Sequence, residues 1–376
     1  MNLTNTEKVF FALLRAGLWE KEVRLDESEA IDFNDVYRLA EEQTVIGLIA
    51  AGLEHLEGAD VPIDVKVEFI SAVTQLESRN VTMNGFIEEL LAKMYKVGIY
   101  TLLIKGQGIA QCYERPLWRS PGDVDLFLDG ENYDKAKKWF GTIGQLIGEE
   151  DPDIKHILLS VDSWDVELHG TQRGDVSGRI DCVIDELQEE IFKQGRVRRW
   201  QNGSTDVLIP APDDDVIIVF AHILHHFFHG GIGLKQVCDW CRFLWTYKDS
   251  LNHDLLENRL QKMKVMTEWH AFAAFAVDTL GMPKEAMPLY SSAKTSQRKA
   301  IKIRDYILET GNFGYNRDLS YFNKYPYFTR KIISFYRRTY DFAILFSIFP
   351  KNASSAYWDI LKEGFTAVAD HLFKRK

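Results

Sequence analysis

The chain has 376 residues, of which 46% are hydrophobic and 27% charged, with a formal net charge of −10. That length allows two or three domains with sizeable cores, and the negative charge gives no global pull toward nucleic acid, so no stable nucleic-acid complex is expected. No apolar stretch approaches the roughly 20 residues of a membrane-spanning helix, and MNLTNTEKVF lacks the basic and apolar regions of a secretory leader, so a cytoplasmic protein is expected.

Residues 1 to about 95 read as helical by apolar spacing, with Val9, Leu13 and Leu14, then Val36, Leu39 and Ala40. Pro62 marks a break. A long segment through Val73, Leu76, Asn80 and Met83 then ends near Tyr95. After Gly98 the pattern changes. Ile99 to Ile104 is a short β-rich run, followed by the turn Lys105-Gly106-Gln107-Gly108 and a helix-like piece from Ile109 to Tyr113. Pro121-Gly122 punctuates the chain. Asp123 to Leu128 alternates acidic and apolar residues, as a two-faced strand does. Glu131 to Phe140 reads as a helix.

His156 to Val161 and Trp164 to His169 are predicted to pair as a hairpin across the turn-forming Asp162-Ser163. Val197 to Trp200 and Val207 to Ile209 flank Asn202-Gly203 in the same way. After Pro210 and Pro212 the chain turns helical. Asp213 or Asp214 is the expected N-cap of a helix through Phe228, closed by Gly230-Gly231. Further helices are predicted over about 234–248, 253–280, 294–308, 328–349 and 354–374. The expected class is α+β. A small mixed-sheet core over residues 96–210 is flanked by a helical N-terminal region, 1–95, and a helical C-terminal domain, 211–376.

The cysteines Cys112, Cys182, Cys238 and Cys241 form no disulfide framework. Cys238 and Cys241 make a C-x-x-C without a second pair or a βαβ redox context, so packing within a helix is the expected role.

Asp123-Val124-Asp125 carries the strongest chemical signal. Strand residues i and i+2 share a face, which sets these carboxylates about 7 Å apart along the strand. Two acids on a half-buried strand repel, and a hard cation is the simplest neutraliser. Alone, the pair reads equally as two solvated acids on an exposed strand. Its context is more specific. Lys105-Gly106 closes the preceding strand, Arg119-Ser120-Pro121-Gly122 leads into the pair, and Glu167 and His169 share a face of a later strand.

The string LLIKGQGIAQCYERPLWRSPGDVDLFL, residues 102–128, resembles the signature of an uncharacterised bacterial nucleotidyltransferase family. That family belongs to the DNA polymerase beta-type nucleotidyltransferase superfamily. Val166-Glu167-Leu168-His169 fits the same family, as does the segment from Ala221 to Asp239. The resemblance covers roughly residues 30–310. It implies transfer of a nucleoside monophosphate from an NTP to an unidentified hydroxyl-bearing acceptor by a two-metal in-line mechanism. Asp123, Asp125 and Glu167 would be the catalytic carboxylates and ligands of Mg²⁺, or of Mn²⁺. Lys105, Gly106, Arg119 and Ser120 would contact the nucleotide; Lys235 is weighed as a further contact against a solvated surface lysine, and His169, His222 and His226 are candidates to line the cleft. The stretch from Lys105-Gly106 to Asp123 is longer than the superfamily's usual spacing. A nucleotide-binding regulatory module with little or no turnover is the alternative.

His222, His226 and His229 share a helical face, as do His225 and His229. A zinc site is weighed there against packing and hydrogen bonding at the domain junction, and no H-E-x-x-H accompanies it. Residues 324–376 hold ten Lys or Arg against four Asp or Glu, which leaves −16 for the remainder. Such a basic, aromatic segment is compatible with weak contact to an anionic membrane surface. The simpler expectation is an amphipathic helix folded onto the acidic remainder.

Overall fold

Thr4 and Glu7 form a reciprocal capping box, and helix α1 (Asn5–Trp19) begins there. In the computed structural model the described residues are 3–25, 31–143, 145–146, 150–151, 155–174, 176–317, 319–320, 324–358 and 361–362. Asp32 caps α2 (Phe33–Glu42), and α3 (Ile46–Glu54) follows. Helices α1 and α3 cross closely, because a Cβ on Gly17 would fall 1.8 Å from the Leu48 carbonyl oxygen. Two-residue strands β1 (Val23–Arg24) and β2 (Leu56–Glu57) pair in parallel beside them.

Pro62 precedes α4 (Ile63–Lys96), an unbroken helix of 34 residues. Its first half buries Val65, Phe69 and Val73 in a core built mainly of helices. Its second half buries Met83, Ile87, Leu90, Leu91 and Met94 in a separate core with the sheet.

That sheet has the order β3-β4-β7-β6-β5, from β3 (Leu102–Ile104), β4 (Val124–Phe127), β5 (Gln145–Leu146), β6 (His156–Val161) and β7 (Trp164–His169). Between its strands lie α5 (Gly106–Ala110) and α6 (Gly130–Ile143). The β4–β7 pair is parallel and its neighbours antiparallel. Strand alternation sorts the side chains. Leu103, Val124, Leu126, Val166, Leu168, Ile157 and Leu159 enter the core shared with α4 and with Tyr133 and Phe140 of α6. The other face carries Asp125, Glu167, His169 and His156.

Several element boundaries differ from the sequence expectation. Strand β3 starts at Leu102 because Tyr100 N–H is tied to Asn132 Oδ1 at 2.8 Å instead of a neighbouring strand. Asp123 stands one residue ahead of β4. The short helix starts at Gly106, directly after Lys105. The Asp162-Ser163 hairpin forms as predicted, with both residues at positive φ.

After α7 (Gly178–Gln194), the hairpin of β8 (Val197–Asn202) and β9 (Thr205–Pro210) turns at Gly203-Ser204. Helix α8 (Pro212–His229) is capped by Ala211 with Pro212 in its first turn, so neither Asp213 nor Asp214 is the N-cap. Asp214 and Asp215 are instead fully buried partners of arginines. Asp214 Oδ1 meets Arg196 at 3.0 Å and Arg259 at 2.9 Å, and Asp215 Oδ2 meets Arg198 at 2.7 Å.

Helix α9 (Leu234–Tyr247) buries Cys238 and Cys241 as free thiols. The helix predicted over 253–280 is two, α10 (His253–Met263) and α11 (Met266–Asp278), separated where Lys264 adopts a left-handed conformation. Helices α12 (Lys294–Thr310) and α13 (Tyr327–Ile348) follow. Residues 350–358 are helical, and most of the helix expected over 354–374 lies outside the described residues. Along α13, Phe342, Leu345 and Ile348 are buried, whereas Phe328, Ile332, Phe335, Tyr336 and Tyr340 are exposed. Among the described residues, no helix is long and apolar enough to cross a membrane.

Candidate active site

Backbone register builds the site. Ile104 of β3 pairs with Asp125 of β4. Asp125 pairs with Glu167 of β7, and Phe127 with His169. Across the hairpin, His169 faces His156. Laterally paired strand residues share a face, so Asp125, Glu167, His169 and His156 project together. Asp123 and Asp165, both exposed, lie two residues before Asp125 and Glu167 and extend the acidic edge. At the end of β3, Lys105 has φ 55° and Gly106 has φ 36°. A Cβ on Gly106 would meet the Asp123 carbonyl oxygen at 3.4 Å, so glycine lets this turn lie against the acidic segment.

The side chains form one network. Asp125 Oδ1 is 3.1 Å from Lys105 Nζ and 2.9 Å from His169 Nε2. Glu167 Oε2 is 3.2 Å from the same His169 Nε2 and 3.3 Å from His156 Nε2. Burial would raise the Glu167 pKa, but hydrogen bonds from His156 and His169 outweigh it and hold the carboxyl well below the usual range. Burial would lower that of His169, and hydrogen bonds to Asp125 and Glu167 raise it instead. Among the described residues, no side chain donates a hydrogen bond to the Asp123 carboxylate. Although Asp123 is an exposed residue, partial desolvation of its carboxyl, then the charges of Glu167, Asp125 and Asp165, push it up to about 6 against the pull of Lys235.

This crowding predicts a pH-dependent stability effect. A carboxyl whose folded pKa is raised stabilises the fold below its unfolded pKa and loses that contribution as pH rises through the folded value. Asp123→Asn is therefore expected to raise the melting temperature at neutral pH without divalent cations. The gain should fade below pH about 4, where the aspartate is protonated in both folded and unfolded chains. Melting curves at both pH values check this. Equal midpoints at neutral pH would show that Asp123 is not electrostatically crowded.

Lys235 opens α9 and approaches from the far side. A Cβ on Gly122 would lie 3.8 Å from its Nζ. Burial, then the charge of Arg119, lower its pKa to about 8, while Asp239, Asp123 and Asp125 act in the opposite sense. Histidines of α8 reach the same region. Burial first, then the charge of Lys105, keep His222 well below the ordinary imidazole value. Burial, His225 and Lys105 bring His226 down to about 3. Both are neutral at physiological pH. The rings of His222 and His226 lie edge to face at 4.2 Å, and those of His225 and His229 stack at 4.7 Å.

Arg119 faces inward. Its Nε and Nη2 each donate to Asp239, at 2.8 Å, and both side chains are buried. Tyr113 Oη donates to the same carboxylate at 2.7 Å. Ser120, half-buried, accepts from Arg119 Nη1 through its carbonyl oxygen at 3.2 Å. Buried Asn80 of α4 donates to the carbonyls of Leu117 at 2.7 Å and Arg119 at 2.9 Å. Gln107 Nε2 donates to Asn80 Oδ1 at 3.0 Å. These bonds fix the loop that delivers Asp123.

Three participants were missed in the sequence: His156, Asp239 as the partner of Arg119, and Asn80 as the loop clamp. Only His156 left a readable signal. A two-residue loop at Asp162-Ser163 sets the hairpin register, which puts His156 opposite His169.

Residues 29–281 match a family model described as an uncharacterised nucleotidyltransferase. No curated protein and no solved structure matches the chain.

Proposed function

The chain belongs to this family of uncharacterised nucleotidyltransferases, and from that membership we propose that it transfers a nucleoside monophosphate from an NTP to a hydroxyl-bearing acceptor, on a core of the polymerase beta type. The carrying observation is the register of Asp125 beside Glu167 on adjacent parallel strands, with Asp123 at the strand entrance.

The donor chemistry fits Mg²⁺ or Mn²⁺. Carboxylate oxygens suit a hard cation, and the mutual repulsion that raises Asp123 is what a cation would relieve. Asp123, Asp125 and Glu167 would hold it. Divalent cations held there would supply positive charge to the triphosphate and to the attacking and leaving oxygens. Glu167, kept ionised by two imidazoles, is suited to ligation more than to proton abstraction. Lys105 and Lys235 flank the acids and supply positive charge to the phosphates. Arg119, spent on Asp239, acts as a positioning residue for Ser120 and the following loop. Neutral His222 and His226 offer hydrogen bonds along the cleft. In the reaction an acceptor oxygen bonds to the α-phosphorus, the bond to the β-phosphate bridge breaks, pyrophosphate departs and the acceptor proton passes to solvent.

The test incubates the full chain with each α-labelled NTP, with Mg²⁺ or Mn²⁺, against a panel of hydroxyl-bearing acceptors. Metal-dependent pyrophosphate release matched by label transfer is expected. Tight NTP binding without pyrophosphate release across the panel would favour a nucleotide-binding module instead.

A further inference from the structure

Two imidazoles and one carboxylate converge where β6 meets β7. A ring nitrogen each of His156 and His169 and an oxygen of Glu167 all lie within 4.8 Å of one another, the one such group of three among the described residues, and both Nε2 atoms face Glu167 Oε2, at 3.3 and 3.2 Å. Their rings are 4.9 Å apart and inclined by 34°. His169 Nε2 faces two carboxylate oxygens at once, Asp125 Oδ1 at 2.9 Å and Glu167 Oε2 at 3.2 Å. A single N–H there must be shared between the two and is aligned well with at most one of them, whereas a lone pair on that nitrogen can join both carboxylates around one cation. His156 and Glu167 are half-buried, so an ion can reach them from solvent.

This donor set differs in kind from the aspartates beside it. Mg²⁺ prefers oxygen ligands and keeps its water, whereas imidazole selects first-row transition ions. We propose that His156 Nε2, Glu167 Oε2 and His169 Nε2 bind a first-row transition dication of the Zn²⁺ class, for which Mn²⁺ serves as the paramagnetic probe, next to the hard-cation position of Asp123 and Asp125. Glu167 serves both positions, one oxygen to each, so this inference rests on the transfer reading through that shared residue. The centre would then hold two chemically distinct ions, and a preparation stripped of transition metal and given only Mg²⁺ would be half-loaded.

The test reads metal ligation and does not use transfer. Full-length protein is stripped with chelator and titrated with Mn²⁺, and pulsed electron paramagnetic resonance detects ¹⁴N coupling from bound imidazole. The wild type and Asp123→Asn are both expected to show that coupling. His156→Ala should weaken the coupling and lower Mn²⁺ affinity about tenfold or more, since even residues behind a ligand contribute on that scale. If the alanine variant loses its far-UV circular dichroism, His156→Gln keeps a hydrogen-bonding group beside Glu167 without the imidazole and gives the same reading. Bound Mn²⁺ without ¹⁴N coupling, or unchanged affinity in a folded His156 variant, overturns the inference. If that Mn²⁺ binding is also abolished by Asp123→Asn, the carboxylate site survives the failure. Absence of transfer in the labelled-NTP assay bears on the transfer reading alone.

Discussion

Asp125→Asn is expected to lower nucleotidyl transfer by about 10²–10³-fold or more, the scale on which single preorganised charge-stabilising groups act. The change is nearly isosteric, yet it removes the charge on which the site is organised. Asp125 is buried, pairs with Glu167 in register and receives both Lys105 and His169 on one oxygen. With asparagine there, the Lys105 ammonium loses its counter-charge and His169 keeps only Glu167 as an anionic partner. Mn²⁺ affinity measured by calorimetry should fall together with turnover, while far-UV circular dichroism stays that of the wild type. Wild-type turnover in a folded Asp125→Asn protein would remove the aspartate pair from the chemistry.

The largest stability effect is expected at Asp239. This carboxylate takes two hydrogen bonds from Arg119 and one from Tyr113 in a place with almost no solvent. Asp239→Ala strands a buried guanidinium, and breaking such a pair costs about 3–5 kcal/mol. Replacing both partners with apolar residues, Arg119→Met with Asp239→Leu, should restore most of that loss, because no uncompensated charge is left. Urea melts of the single and double variants decide the matter. A single variant as stable as the wild type would mean that the pair contributes nothing to the fold.

Much of the site could be read in the chain, and the limits have physical causes. Alternation placed Asp125 and the Glu167–His169 pair on strand faces, and Asp162-Ser163 fixed a hairpin, because period and turn chemistry are local properties. Contacts between residues far apart in sequence leave no such trace. The motif around Arg119 points it toward phosphate, and 120 positions separate it from the Asp239 carboxylate that it binds. Asn80 passed as one more position in a helical pattern, although it is a buried polar clamp on the loop before Asp123. Lys264 shows the same limit within a helical run. A left-handed residue breaks the segment there, and lysine carries none of the signature that glycine would have given.

Helix α4 has one end embedded among the N-terminal helices and the other beneath the strands. A stiff rod anchored in both places leaves no hinge near residue 96. The sheet and the N-terminal helices share this rod, and excising residues 96–210 would strip the sheet of the lining that Met83, Ile87, Leu90, Leu91 and Met94 provide. Asn80 of the same rod, bonded to the carbonyls of Leu117 and Arg119, also ties the segment that carries Asp123 to both cores at once.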